Sequence, residues 1–172
     1  IDRFRVSLPL IAVRSIGAGG GSIAFINSLG RLQVGPKSAG SVPGPVCYDI
    51  GGTQPTVTDA DLVLGYVNPD YFAGGKRKLN KEKAVKTIKE KIADPLKMTV
   101  EEAAFGIKTV IDAYMGQEIN KDLSLRRYNP KDFVVLAYGG AGGTHCCGYS
   151  EYIGAQKIIT MPFSPVFCAF GG

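Results

Sequence analysis

The residues best suited to chemistry sit at a glycine-rich break, Gly139-Gly140-Ala141-Gly142-Gly143, followed by Thr144 and the chain's single histidine, His145. Glycine lets a ligand approach the main chain closely. Where a glycine turn opens a helix, it also aims free N–H groups at that ligand, which suits nucleotides. The same pattern without a ligand would be a tight strand-to-helix turn. His145 stands where it can touch a nucleotide or substrate. The positive end of a helix opposes its charged form, so a neutral, hydrogen-bonded imidazole is expected. A second candidate, Asp59, reads as the acidic first turn of a short helix or as a catalytic or metal-holding carboxylate, the structural role being the simpler. His145 and Asp59 are the candidate catalytic residues. The cysteines at 47, 146, 147 and 168 lack C-x-x-C spacing, so neither a zinc site nor a disulfide framework is indicated. Cys146 and Cys147 read as buried small apolar residues. Reduced thiols fit a cytoplasmic protein.

These residues must be positioned by the elements around them. Phe133 to Tyr138 is an apolar, β-branched and aromatic run expected to form a buried strand. A helix is expected from Thr144, with Cys146, Cys147, Tyr149 and Ile153 as its apolar content. Lys157 to Met161 then reads as a second strand, closing a β-α-β unit. Earlier, Gly17-Ala18-Gly19-Gly20-Gly21-Ser22 leads into Ile23 to Ile26, a turn at Asn27 to Gly30, and Arg31 to Val34, which is a hairpin signature. A dinucleotide fingerprint needs a helix after its glycines, so the Rossmann reading is rejected. Arg5 to Ile16 is expected to be extended. Gly35 to Thr58, dense in Gly, Pro, Ser and Thr, reads as a long ordered loop. Within it Asp49-Ile50-Gly51-Gly52-Thr53 mimics a phosphate loop, but Pro45 and Pro55 flank it where a hairpin would be needed.

Asp59 to Gly65 is expected as a short helix. Asn80 can cap another to about Ala93, ended by Pro95. Thr99 and Glu102 form a capping box for a long helix to about Leu123. Its apolar positions include Ile107, Ile111, Tyr114 and Met115, the last two expected in the core. Gly116 in its interior suggests close approach of another element.

Composition sets the bounds. At 172 residues the chain fits one domain, and its net charge of +5 is mild. The lysines and arginines gather between Lys76 and Lys91 at helical spacing, with no interleaved aromatics, so a solvated face is expected and nucleic acid is not. No apolar run is long enough to span a membrane. The start at Ile1, without Met or a signal pattern, reads as a segment of a longer chain.

The glycine segments, taken together, resemble the hydantoinase A and 5-oxoprolinase family, which includes subunits of acetone and acetophenone carboxylases. The resemblance rests on Ser15 to Ala24, Val34-Gly35-Pro36-Lys37-Ser38-Ala39-Gly40, Pro43 to Tyr48, Gly51 to Ala60 with Leu62 to Gly65, then Gly139 to Gly142, His145 and Pro162 to Gly171. It implies an α/β fragment of an actin-like, sugar-kinase-like (ribonuclease-H-like) ATPase domain with a mixed sheet and packed helices. Residues 1–172 would form a single incomplete domain whose phosphate-binding loops lie upstream of Ile1. By this analogy Gly139, Gly140, Ala141, Gly142 and Gly143 bind adenosine, while Gly17, Gly19, Gly20, Gly21 and Ser22 line the active cleft. The family uses ATP, usually with Mg2+, to phosphorylate an amide or ketone oxygen of a small-molecule substrate. A ring C–N bond is then hydrolysed or a carbon carboxylated, usually with a hydantoinase-B-like partner subunit. Gly143-Thr144, where many members carry Pro-Leu, and the Pro162 to Gly171 tail look more like the ketone-carboxylase branch. The competing reading is a nucleotide-binding or subunit-assembly module without chemistry.

Overall fold

The computed structural model describes residues 13–170, so most of the stretch expected to be extended, Arg5 to Ile16, lies outside them, as do the last two glycines. The hairpin forms as β1 (Ser22–Ile26) and β2 (Leu32–Ser38), paired antiparallel. Asn27 fixes the turn by accepting from the N–H groups of Leu29 and Arg31. A bulge between Ser22 and Ala24 frees Ile23 to bridge to Thr56, and Ala24 N–H donates to the Pro55 carbonyl. The hairpin is thereby tied to the entry of α1 (Val57–Val63). The loop between them is ordered, carrying a 3-10 turn at Val46–Tyr48 whose Val46 and Cys47 are buried.

Asn80 caps α2 (Lys81–Ile88), as its amide oxygen accepts from Lys83 N–H. The helix continues through a single π-turn at Lys89–Ala93 and the short α3 (Asp94–Leu96). Pro95 therefore sits inside that last turn instead of ending the helix at Ala93. Lys97 in the left-handed region makes the stop. The lysine-rich surface of α2 faces solvent.

The capping box at Thr99 and Glu102 opens α4 (Val100–Leu125), the central element of the molecule. It packs against α1, α5 (Gly140–Ile153) and β2. The core joins Ile107, Ile111 and Met115 to Val57, Ala60 and Leu62, to Ile88 and Ile92, and to Tyr149 and Ile153. Gly116 makes the approach of α5 possible, because a Cβ there would lie 2.7 Å from the Tyr149 carbonyl oxygen. Tyr114 departs from expectation. It turns outward, 36% exposed, and its hydroxyl donates to the Ile16 carbonyl.

β3 (Val134–Ala137) and β4 (Lys157–Thr160) pair in parallel around α5, as a β-α-β unit requires. Three expectations are corrected here. The described residues form two separate two-stranded sheets instead of one mixed sheet. The apolar strand is not buried: Val134 and Leu136 are 50% and 46% exposed, and β4 is exposed throughout, because α5 covers only part of a two-stranded sheet. The helix begins at Gly140, not Thr144, since Gly139 at φ +82° makes the whole turn by itself and leaves the next glycines free to be helical. No helix of the described residues is long and apolar enough to cross a membrane.

Candidate active site

The glycine stretches, far apart in sequence, meet at one cleft of about 280 Å3. Gly20 and Gly21 form one wall, while Gly140, Ala141 and Thr144 from the start of α5 form the other. Tyr48, Thr58, Asp61, Val67 and Phe72 complete it. Gly20 is held by α1, since its carbonyl accepts from both the N–H and the hydroxyl of Thr58. A Cβ on Gly20 would lie 2.5 Å from that hydroxyl, so the approach itself demands glycine. The α5 side differs. At Gly140, Gly142 and Gly143 an added Cβ would meet nothing within 4 Å. Packing does not demand those glycines; they leave the space outside the first turn of α5 open, where its free N–H groups lie.

Gly17, Gly19 and Ser22, with Gly21, line an adjoining cavity of about 480 Å3 together with Arg14, Pro36 and Ser38. Of the α5 loop, Gly139 is tied to the following turn through its N–H to the Ser164 carbonyl. Gly142 and Gly143 belong to the first turn of the helix without lining the smaller cleft.

Under the cleft lies a buried charge network that the sequence did not reveal. His145 is fully buried in the second turn of α5, with Nδ1 2.6 Å from Asp112 Oδ1 and Nε2 3.1 Å from Asp61 Oδ2. Ionised carboxylates only accept hydrogen bonds, so both ring nitrogens donate and the ring is an imidazolium. Burial opposes that charge, but the bonds to Asp112 and Asp61 and their charges outweigh it, raising the pKa to about 9. The neutral imidazole expected from the helix dipole is thus corrected. The dipole fades beyond the first turn, whereas two carboxylates touch the ring. Lys108 Nζ, 2.5 Å from Asp112 Oδ2 and 5.3 Å from the centre of the Tyr66 ring, completes a set of two anions and two cations.

Gly148 makes room for this set, because a Cβ at that position would overlap the Asp112 carboxylate. Asp112 and Lys108 sit four apart on the buried face of α4, among Ala104, Ile107, Ile111 and Met115. A charged pair interrupting an apolar helical stripe was the available signal. For Asp61, between buried Ala60 and Leu62 on α1, the signal was the same.

Asp59 lies elsewhere. It is fully buried, and its carboxylate accepts from the N–H groups of Val46 at 3.2 Å, Cys47 at 2.8 Å and Thr56 at 2.9 Å, and from the Thr56 hydroxyl at 2.8 Å. It anchors the loop that carries Tyr48 into the cleft. Burial, and then the nearby Asp59 charge, push the Cys47 thiol far above its ordinary range, so it is no nucleophile. Cys146 is buried as expected, whereas Cys147 is exposed, because adjacent residues on a helix face different ways. Asp49, in the segment that mimics a phosphate loop, pairs with Lys83 and Asn80, and a Cβ on Gly52 would collide with the Gly44 carbonyl oxygen.

Among the described residues no group of three or more His, Cys, Asp or Glu is placed to hold a metal ion. Asp61 is the one acid lining the smaller cleft, with Oδ2 committed to His145. Magnesium, commonly held by carboxylates and substrate phosphates, does not find a prepared site here.

Known proteins share this arrangement of segments. The chain is 52% identical over 172 residues to the acetophenone carboxylase gamma subunit of Aromatoleum aromaticum, covering 99% of this chain and 23% of that protein. It is 46% identical over 169 residues to the caprolactamase subunit alpha of Pseudomonas jessenii, covering 98% and 24%. Among solved structures, a nucleotide-free acetone carboxylase involved in ATP-dependent acetone carboxylation superposes with a TM-score of 0.85 at 40% identity, over 96% of this chain and 24% of that one. The chain thus spans about a quarter of the length of these relatives. The hydantoinase/oxoprolinase family profile matches residues 1–172, and the chain belongs to that family.

Proposed function

We propose that this chain is a segment of an ATP-dependent enzyme subunit with an actin-like ATPase architecture. Adenosine lies against Gly139 to Gly143, and Gly17 to Ser22 face the reacting end of the nucleotide. The observation that carries this reading is the convergence of Gly20 and Gly21 with Gly140 and Ala141 on one cleft, with the open N-terminus of a 14-residue helix on one side. The subunit activates an amide or ketone oxygen of a small-molecule substrate by phosphorylation, for hydrolysis of a cyclic amide or carboxylation of a ketone. The names of relatives support this, as they include carboxylases, a caprolactamase and 5-oxoprolinases. The reading includes magnesium and a hydantoinase-B-like partner, and the designation of relatives as gamma, alpha and beta subunits supports a partner. His145 and Asp59 act in this reading by positioning the two walls of the cleft.

The test is ADP binding by calorimetry to the full-length protein, comparing wild type with Gly140→Val. Open space at Gly140 means that the valine leaves the helix standing and projects into the cleft. The expected loss is about 30-fold or more in affinity, roughly 2 kcal/mol. Unchanged affinity would move the nucleotide away from α5. Substrate-dependent phosphate release by the same protein separates an enzyme from an assembly module.

A further inference from the structure

The two walls of the cleft are tied to each other by a single bond. Gly20 is held on α1 through Thr58, and Asp61 stands three residues further along the same face of that helix. Gly140, Ala141 and Thr144 belong to α5, where His145 lies four residues, about one turn, beyond Ala141. Both helices pack on α4. Among the described residues, however, the contact of His145 Nε2 with Asp61 Oδ2 is the one hydrogen bond or ion pair that joins α1 to α5.

That bond depends on a proton. A neutral imidazole carries one N–H, so of two carboxylates against its two nitrogens one is still served and the other meets a lone pair. The geometry decides which. Asp112 Oδ1 lies 2.6 Å from Nδ1, and its second oxygen is held by Lys108, whereas Asp61 Oδ2 lies 3.1 Å from Nε2. The shorter bond keeps the proton and Asp61 is released. Asp61 Oδ1 has no partner among the described residues, so the released carboxylate would be buried with none at all. Water entering between α1 and α5 relieves that cost.

The groups around the ring are Asp61 on α1, Asp112 and Lys108 on α4, Tyr66 over the Lys108 ammonium, and Cys146 and Tyr149 on α5. Burial opposes the Lys108 charge, but the bond and charge of Asp112 outweigh it. Burial pushes the Tyr149 hydroxyl up to about 12 and raises the Cys146 thiol as well. His145, raised to about 9, loses its proton before any of these three.

We infer that Asp61 and His145 are positioning residues that hold the cleft at the width a nucleotide needs, so that nucleotide binding is linked to the proton on His145. This deepens the adenosine site proposed above and rests on it. A ligand that binds the bridged cleft more tightly also favours the proton that makes the bridge, by the same factor. Full loss of the proton is expected to weaken ADP binding about tenfold, so bound ADP raises the His145 titration by about one pH unit.

Calorimetry of ADP binding to the full-length protein tests this at pH 7.5 and pH 9, each in two buffers of different ionisation heat. The ADP phosphates, with a last pKa of about 6, are ionised at both values and exchange no proton. Wild type is expected to take up about 0.4 proton per ADP at pH 9 and almost none at pH 7.5. In Asp61→Asn the side-chain amide offers its oxygen to an imidazolium and its N–H to a neutral imidazole, so the bridge survives deprotonation. Uptake by that variant is expected to stay below about 0.1 at both values. Asp61→Ala, with no bridge at any pH, is expected to bind ADP about tenfold more weakly at pH 7.5, and Asp61→Asn to recover most of that loss. Uptake below about 0.1 by wild type at pH 9 would overturn the inference, as would undiminished uptake in Asp61→Asn. An asparagine variant as weak as a folded alanine variant would also overturn it, and if the alanine variant does not fold the two proton counts decide. ADP binding without proton uptake sinks this inference alone; no ADP binding at either pH sinks it together with the adenosine site.

Discussion

Replacing His145 by alanine is expected to cost about 3–5 kcal/mol, the penalty of leaving a buried charge without its partner. Asp61 and Asp112 would then face each other across the vacated ring, and Lys108 neutralises only one of them. Hydrogen exchange of the α4 and α5 amides, followed by mass spectrometry, reads this as faster opening of those two helices. The same experiment has a pH signature. The imidazole pKa rises from its ordinary 6.5 to about 9 in the fold, so the native state binds the proton more tightly than the unfolded chain. That stability is complete below about pH 6.5 and is lost as pH climbs through about 9, in all by roughly 3 kcal/mol. Lys108 keeps its charge across that window: burial works against it, but the hydrogen bond and charge of Asp112 outweigh burial and raise its pKa above the ordinary lysine value. The alanine variant should lack this slope. A wild-type profile flat from about pH 6.5 to about 9.5 would mean that His145 is not held as an imidazolium.

Asp59→Ala is expected to be as damaging, by about 3–5 kcal/mol, for a different reason. Four donors converge on that carboxylate, three of them main-chain N–H groups that have no water to turn to. Losing it also removes half of the capping box at the start of α1. Asp59→Asn keeps the shape but turns one acceptor into a donor, and about half of that loss is expected. Activity per folded molecule separates anchoring from chemistry. If the asparagine variant, judged folded by its melting profile, retains the activity of wild type, Asp59 holds the loop. A folded but inactive variant would restore it as a catalytic carboxylate.

The elements were legible where local signals and tertiary demands agree. The hairpin, both capped helices, the β-α-β unit and the close approach at Gly116 each follow from a pattern within a few residues: an apolar alternation, a Thr-x-x-Glu box, a glycine inside a helix. Resemblance pointed to both glycine stretches, but their meeting at one cleft is long-range and no spacing in the sequence encodes it. The charge network was hidden for a related reason. Asp61, Lys108, Asp112 and His145 come from three helices, and each alone is more simply read as a surface or capping residue. His145 misleads electrically because the nearest visible field is that of its own helix, while the decisive charges are 33 and 84 residues away. The strand at Val134 reads as buried because its composition demands burial, and within these residues α5 meets that demand only in part.

The parallel pair β3–β4 carries a practical consequence. Among the described residues each strand has one neighbour, so two rows of main-chain donors and acceptors stand open beside Val134, Leu136, Ile158 and Ile159. Short, β-rich segments with free edges are templates for pairing between molecules, and Lys157 is the one charge in these two strands. These 172 residues on their own are expected to be limited by self-association before unfolding, which light scattering against concentration would read. Preparations of them belong at low concentration, or with a charged residue placed at Leu136 to break the template.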